Sequence, residues 1–577
     1  QSIIHASQQC DSKRNQNIAN VCLACVTKVV VLILRKDSNM VEVTRSNFSY
    51  VFPLVEKSIK DSTFIAIDTE FTGLILGPSN ESNLFDSLPE RYEKLRCRAT
   101  SFIPCQIGLS AFTKDKDKNS YSVETYVFYV RPCMIGSIDR IFTCQASAID
   151  FLCGYNFDFK KFLPEGIPYI NENEVLQVRE ELKDGSISLP HEKIQDSRHQ
   201  AKLYDMIDKK FGRYKYKPHV KNLEVTIPIH TKTHVYFQVK EIRRKFPKLW
   251  AYPQVDSILV KMVSPTERMQ LQKYDEALEQ EKVLDYYLGF TKVFRLLKNC
   301  QKPIVGHNIL MDLMLLYQNF HQNLPDSYDK FKKELHSIFP IIYDTKHIWI
   351  NINQVRTLKR LNANSGLTTL YELFKNPPGQ LKTLYSPCIL PSNCKQYVDE
   401  DFVHDSGYDA FITGFVFLKI CHILAMENSS PSVPMNNAPT FKHLLAAASS
   451  FVNKINFPYF SFKYVNLEGA DPPPNKTNYL YICPKNPNEN LTLDEFNMYF
   501  SRYETLEFKF KKLRKAAVVA IINLKLYEKI LKDFKDDPDL VVEEYNFLRH
   551  SPFVGETLWL TTVASGCLVA AWIWKSR

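Results

Sequence analysis

The sequence predicts an α/β protein assembled from more than one folded unit, and three observations carry that expectation. Strand-like apolar runs alternate with helical ones over 40–170 and again over 291–426. Between them, 171–290 turns polar and basic, which marks a small inserted α/β domain. Beyond a Pro/Ser/Asn-rich linker at 427–440, the stretch 441–550 follows a βαββαβ order and predicts a separate α+β domain. A chain of 577 residues also exceeds the size at which a single core keeps growing.

The elements follow in chain order. Phe64-Ile-Ala-Ile67 is a buried strand that runs into the polar end Asp68-Thr-Glu70. Tyr121–Val130 alternates and is rich in β-formers. Val220–Ile229 and Ser257–Val263 are strands of the insert. Pro303–Gly306 is a short strand entering a glycine turn, and a helix begins near Asn308. Tyr408–Leu424 is a helix so apolar that it must be largely buried. In the last domain, Tyr479–Cys483, Leu506–Phe510, Ala516–Ile522 and Leu540–Tyr545 are strands. Leu491–Tyr503 and Leu524–Phe534 are helices, and the order is that of an RNA-recognition (RRM-like) fold.

The two ends differ. Residues 1–39 read as an upstream extension outside the folded part. From Thr557 to Trp574 eighteen residues carry no charge, enough helix for roughly 27 Å, near the thickness of a bilayer core. Trp559 lies at one end, Trp572 and Trp574 at the other, as membrane interfaces favour. This predicts a single transmembrane tail anchor at 557–574, with the preceding chain in the cytosol. The outer mitochondrial membrane is the expected location and the endoplasmic reticulum the alternative.

Composition narrows the class. A formal charge of +10 suits a polyanion or an anionic membrane. Fourteen Lys/Arg against four Asp/Glu between Arg198 and Lys248 could supply the whole excess. The fourteen cysteines show no framework spacing, and Cys22-x-x-Cys25 has no second pair. That argues against a disulfide scaffold and a structural zinc site, and for a reduced intracellular protein.

Three short patterns carry chemistry. Asp68 and Glu70 stand two residues apart on one strand, so both side chains leave the same face. Asp312 follows Gly306-His307-Asn308 on a helix otherwise made of Leu and Met, where an acid needs a cation or a strong partner. His404-Asp-Ser-Gly-Tyr-Asp409 puts an imidazole on a loop and a fourth acid in the first turns of a helix. Singly, each pattern also fits a solvated strand end, a polar stripe or a surface loop. Together, Asp68, Glu70, Asp312 and Asp409 suit hard divalent cations, two Mg²⁺ (or Mn²⁺), roughly 3.5–4 Å apart. His404 suits a general base toward attacking water.

The order D-x-E, acid, H-x₄-D resembles the DEDD exonuclease superfamily in its histidine-bearing branch. That implies an RNase H-like core and metal-dependent 3′→5′ hydrolysis of RNA, with His404, Asp68, Glu70, Asp312 and Asp409 catalytic. The segments Ser46-Asn-Phe48, Ala66–Gly73, Cys144–Phe151, Gly166–Tyr169, Val305–Asn308, Tyr343–Lys346 and Gly407–Ala410 look like the poly(A)-specific ribonucleases. In those enzymes a nucleic-acid-binding domain with an Arg-x₃-His motif interrupts the nuclease, and 171–290 lacks that motif. With the anchor added, the chain is similar to the membrane-bound Trimmer family. That resemblance implies single-stranded RNA 3′ ends of piRNA precursors as substrate. It also implies a PIWI-family protein carrying the RNA and a Tudor–KH adaptor. A poly(A) deadenylase and a catalytically dead, membrane-tethered RNA-binding scaffold are the alternatives.

Overall fold

Alternation along the strand Phe64–Phe71 sets the layering. Phe64 and Ala66 join one apolar cluster while Ile65 and Ile67 join another on the opposite face. The computed structural model describes residues 41–550, apart from 78–79, 185–196, 213–223, 229–234, 254–256, 353–363, 379–383, 428–436, 458–463, 474–477, 504–505, 512–514 and 522. The expected extension at 1–39, the expected anchor at 557–574 and most of the linker lie outside the described residues.

Strands β1 (Val41–Val43), β2 (Phe64–Phe71), β3 (Pro104–Lys114) and β4 (Ser120–Tyr129) open the chain. A three-stranded antiparallel sheet follows, with β5 (Glu224–Pro228), β6 (Leu249–Pro253) and β7 (Ser257–Met262) in the order β5-β7-β6. It closes on its own apolar cluster with helices Ser197–Gly212 and Val235–Lys245. A helical stem ties this insert to the rest, as Val178 and Leu182 of helix Glu172–Asp184 pack on Leu284 and Leu288 of helix Pro265–Leu288.

The chain then returns to the first sheet through β8 (Ile304–Gly306), β9 (Ile342–Asp344) and β10 (Cys388–Pro391). The sheet order is β1-β4-β3-β2-β8-β9, with β10 beside β4. β2, β3 and β4 are antiparallel neighbours, whereas β8 and β9 add in parallel to β2. On one face lies helix Ser406–Glu427, whose Phe411, Val416, Phe417 and Ile420 are buried against Phe64, Phe112 and Val123. It is, among the described residues, the one helix long and apolar enough to cross a membrane, and burial inside this core accounts for its composition. Gly108 of β3 lets the start of that helix approach, because a Cβ there would meet the Ser406 carbonyl oxygen at 1.8 Å.

Residues 441–467, grouped by sequence with the last domain, pack with this first sheet instead. Phe441 stacks on Phe64, and Leu444 joins the same cluster. β11 (Lys454–Asn456) and β12 (Tyr464–Asn466) form a hairpin whose Ile455 and Val465 enter the opposite-face core. The last sheet is β13 (Asn478–Pro484), β14 (Glu507–Phe510), β15 (Ala517–Ile521) and β16 (Leu540–Glu544). It is antiparallel in the order β14-β15-β13-β16, with helices Leu493–Phe500 and Leu524–Asp533 on one side.

Candidate active site

β2 carries Asp68 and Glu70 at its polar end, opposite Gly108 and Gln106 of β3. Both belong to the face on which Ala66 meets helix Ser406–Glu427, so they look toward that helix's first turn, where Asp409 lies. Thr69, between them, points the other way, and its hydroxyl donates to Asp312 Oδ1 at 2.6 Å. Asp312 sits in helix Leu310–Leu316, buried among Leu310, Leu313 and Met314. Its neighbours on all sides explain why this stretch is apolar and why the lone acid stands out.

His404 has a positive φ of 65°, which turns the loop back just before the helix. Its ring is met edge-on by Tyr155 at 4.3 Å and by Phe151 at 4.6 Å. Asp405 fixes the turn. Its carboxylate accepts from the Tyr397 hydroxyl at 2.7 Å and from the Tyr408 N–H at 3.0 Å, capping the helix. Gln106 accepts from the Ser406 N–H at 3.0 Å, joining the cap to β3. As a result one ligand atom from each of Glu70, His404 and Asp409 lies within 4.8 Å of the others.

The electrostatics match that crowding. Burial raises the Asp68 carboxyl well above the usual range, and Asp409, Asp312, Glu70 and Asp405 raise it further. Glu70 is raised in the same way, by burial and then by Asp409, Asp312 and Asp405. Burial likewise pushes Asp312 and Asp409 to about 7, against the hydrogen bond from Thr69 in the first case. His404 is lowered by burial, which keeps the imidazole neutral and able to accept a proton. Oxygen donors that repel one another, with one imidazole beside them, fit divalent cations of the hard class.

All five residues expected from sequence therefore lie at one end of the first sheet. Glu70, His404 and Asp409 form the tight group; the charges of Glu70, Asp312 and Asp409 act on Asp68, and those of Asp312 and Asp409 on Glu70. Sequence reasoning missed Thr69, Gln106, Phe151, Tyr155 and the bond from Tyr397 to Asp405. Asp344, at the end of β9, was also missed as a builder of the site. It accepts the N–H groups of Asn308 and Ile309 and so holds the turn that leads to Asp312.

Residues 43–417, which contain these positions, match the CAF1 family ribonucleases. The chain belongs to that family. It is 31% identical to poly(A)-specific ribonuclease PNLDC1 of Homo sapiens over 88% of this chain and 96% of that one. To the pre-piRNA 3′-exonuclease trimmer of Bombyx mori it is 27% identical, over 92% and 98%. To poly(A)-specific ribonuclease PARN of Homo sapiens it is 30% identical, over 79% and 73%. This CAF1 family member is accordingly a 3′→5′ exoribonuclease with a mixed α/β nuclease fold.

Proposed function

We propose that this exoribonuclease trims the 3′ ends of PIWI-bound piRNA precursors at a membrane surface, using two divalent cations, Mg²⁺ or Mn²⁺. The observation that supports the chemistry is the convergence of Glu70, His404 and Asp409 beside Asp68 and Asp312, all held unusually hard to ionise. Asp68, Glu70, Asp312 and Asp409 would hold the cations, and Thr69 orients Asp312. When bound, divalent cations supply charge neutralisation and Lewis acidity at the scissile phosphodiester. His404, neutral and steered by Tyr155 and Phe151, takes the proton of the attacking water. The water oxygen bonds to phosphorus as the bond from phosphorus to the upstream 3′-oxygen breaks. The terminal residue departs as a nucleoside 5′-monophosphate, and the upstream 3′-oxygen takes up a proton to become the new 3′-hydroxyl.

The substrate reading draws on the Bombyx mori relative, matched over nearly its full length. The uncharged run 557–574 is the reason for proposing a tail anchor, with the outer mitochondrial membrane as its site and the endoplasmic reticulum as the alternative. A PIWI-family protein and a Tudor–KH adaptor are the proposed partners. The strand and helix order of 478–544 supports an RRM-like reading of the last domain, and 171–290 is read as a degenerate nucleic-acid-binding insert.

A poly(A) deadenylase is the second reading, favoured by relatives named poly(A)-specific ribonuclease. Full-length protein with Mg²⁺ or Mn²⁺ should shorten RNA from a free 3′-hydroxyl one nucleotide at a time, on a mixed-sequence end as readily as on poly(A). Strong preference for poly(A) selects the deadenylase. Full activity in Asp68→Ala or Asp312→Ala rejects the proposed site.

A further inference from the structure

The C-terminal sheet has two faces. Leu480, Ile482, Ala517 and Val519 enter its apolar core under the two helices, so Tyr479, Tyr481, Val518 and Ala520 belong to the opposite face. In sheets that read single-stranded RNA, that face is open and its rings stack bases. Here it is covered: Val518 keeps 8% and Ala520 only 2% of its surface.

Two segments cover it. The first is the stretch 80–87 from the nuclease side. The Glu507 carboxylate accepts the Leu84 N–H, the Lys509 ammonium lies 5.0 Å from the Phe85 ring, and Phe85 meets Tyr479 at 5.7 Å. The second is the short helix Phe547–His550. His550 stacks on Tyr481 at 4.2 Å and 4°, in the arrangement a base would take. Its Nε2 lies 2.8 Å from Glu543, and Lys511 donates to its carbonyl oxygen.

We infer that the open face of the C-terminal sheet is an intramolecular dock that holds the 80–87 loop beside the catalytic strand, and that it does not receive RNA bases. The loop is the continuation of β2. After Glu70 the chain passes Leu74 and Ile75, whose N–H groups are both held by Gln145 Oε1, at 2.8 and 3.0 Å. Further on, Arg98 grips Asn80 and Lys94 grips Glu81 and Asp86 on the nuclease side. Glu507, Lys509 and Tyr479 grip the same loop from the sheet. Glu507 and Lys509 are thus positioning residues for the segment that leaves the site. They stand outside the apolar core of their own domain, so changing them spares its packing.

The test uses the full chain with Mg²⁺ and single-stranded RNA. Amide hydrogen exchange at 74–76 and 80–87 is compared with kcat and KM in the wild type, the Glu507→Ala/Lys509→Ala variant and Glu507→Gln. The double variant should exchange about tenfold faster at 84–87 and lose about fivefold in kcat/KM, with β13 and β15 amides still protected. Glu507→Gln should restore both, because its amide oxygen accepts the same N–H. Photocrosslinking of RNA to the wild type should bypass Tyr479 and Tyr481. Unchanged exchange and rate in the double variant, or RNA crosslinked to either tyrosine, overturns the inference.

Discussion

Asp312, in the first turn of helix Leu310–Leu316, and Asp344, at the end of β9, are both buried acids of the same core, yet their surroundings differ in kind. Asp344 accepts five backbone N–H groups, from Asn308, Ile309, Lys346, His347 and Asn456, at 2.9–3.3 Å. Asp312 has one side-chain donor, Thr69, and its charge raises both Asp68 and Glu70. Burial raises both carboxyls and hydrogen bonds oppose the rise at both, yet Asp312 still reaches about 7. A buried acid is therefore not by itself a sign of catalysis. The sign is a buried acid that its own protein leaves under-supplied with positive charge.

That contrast is breakable. The largest effect belongs to the under-supplied group: Asp68→Asn or Asp409→Asn should lose several kcal/mol of transition-state stabilisation, about 10³-fold in kcat, measured on a 3′-labelled RNA. His404→Ala should cost about 10²–10⁴-fold, with RNA affinity unchanged in a binding assay. Next comes stability. At pH 8 without metal, Asp312→Asn should raise the melting temperature by removing repulsion. Asp344→Asn, which turns an NH₂ toward N–H donors, should destabilise by about 3 kcal/mol. Shifts of one sign in both variants would erase the distinction.

The smallest effect is a pH dependence. Asp68, Glu70, Asp312 and Asp409 ionise later in the folded chain than in the unfolded one. Their contribution to metal-free stability is full below about pH 4 and is lost as pH rises through about 7, where Asp312 and Asp409 titrate. The rise in melting temperature given by Mg²⁺ should accordingly grow between pH 5 and pH 8. A metal effect equal at both pH values would argue against these carboxylates as the ligands.

Much of this centre is legible in one dimension. The D-x-E pair needs only strand periodicity, and Asp312 stands out because its helix is otherwise Leu and Met. What stays hidden depends on distant chain. β3 has no clean strand pattern in the sequence, since Gly108 and Ser110 interrupt its apolar run. Gly108 is there for the Ser406 carbonyl, and Ser110 for Thr125, whose hydroxyl lies 2.7 Å away. Phe151 and Tyr155 read as ordinary aromatics until the fold brings them to His404. No local pattern says that Phe85 reaches the Tyr479 ring or that His550 stacks on Tyr481.

Helix Ser406–Glu427 also bears on how the molecule is made. β2, β3 and β4 are complete by Tyr129, but the helix that covers Phe64, Phe112 and Val123 begins only at Ser406. Roughly 280 residues of synthesis separate them, on the order of 15–55 s at common ribosome speeds. For that interval the growing chain carries a bare apolar sheet face, and its eventual cover emerges looking like a membrane signal. The nuclease core therefore closes late, and until it does both halves of its apolar contact are open to wrong associations.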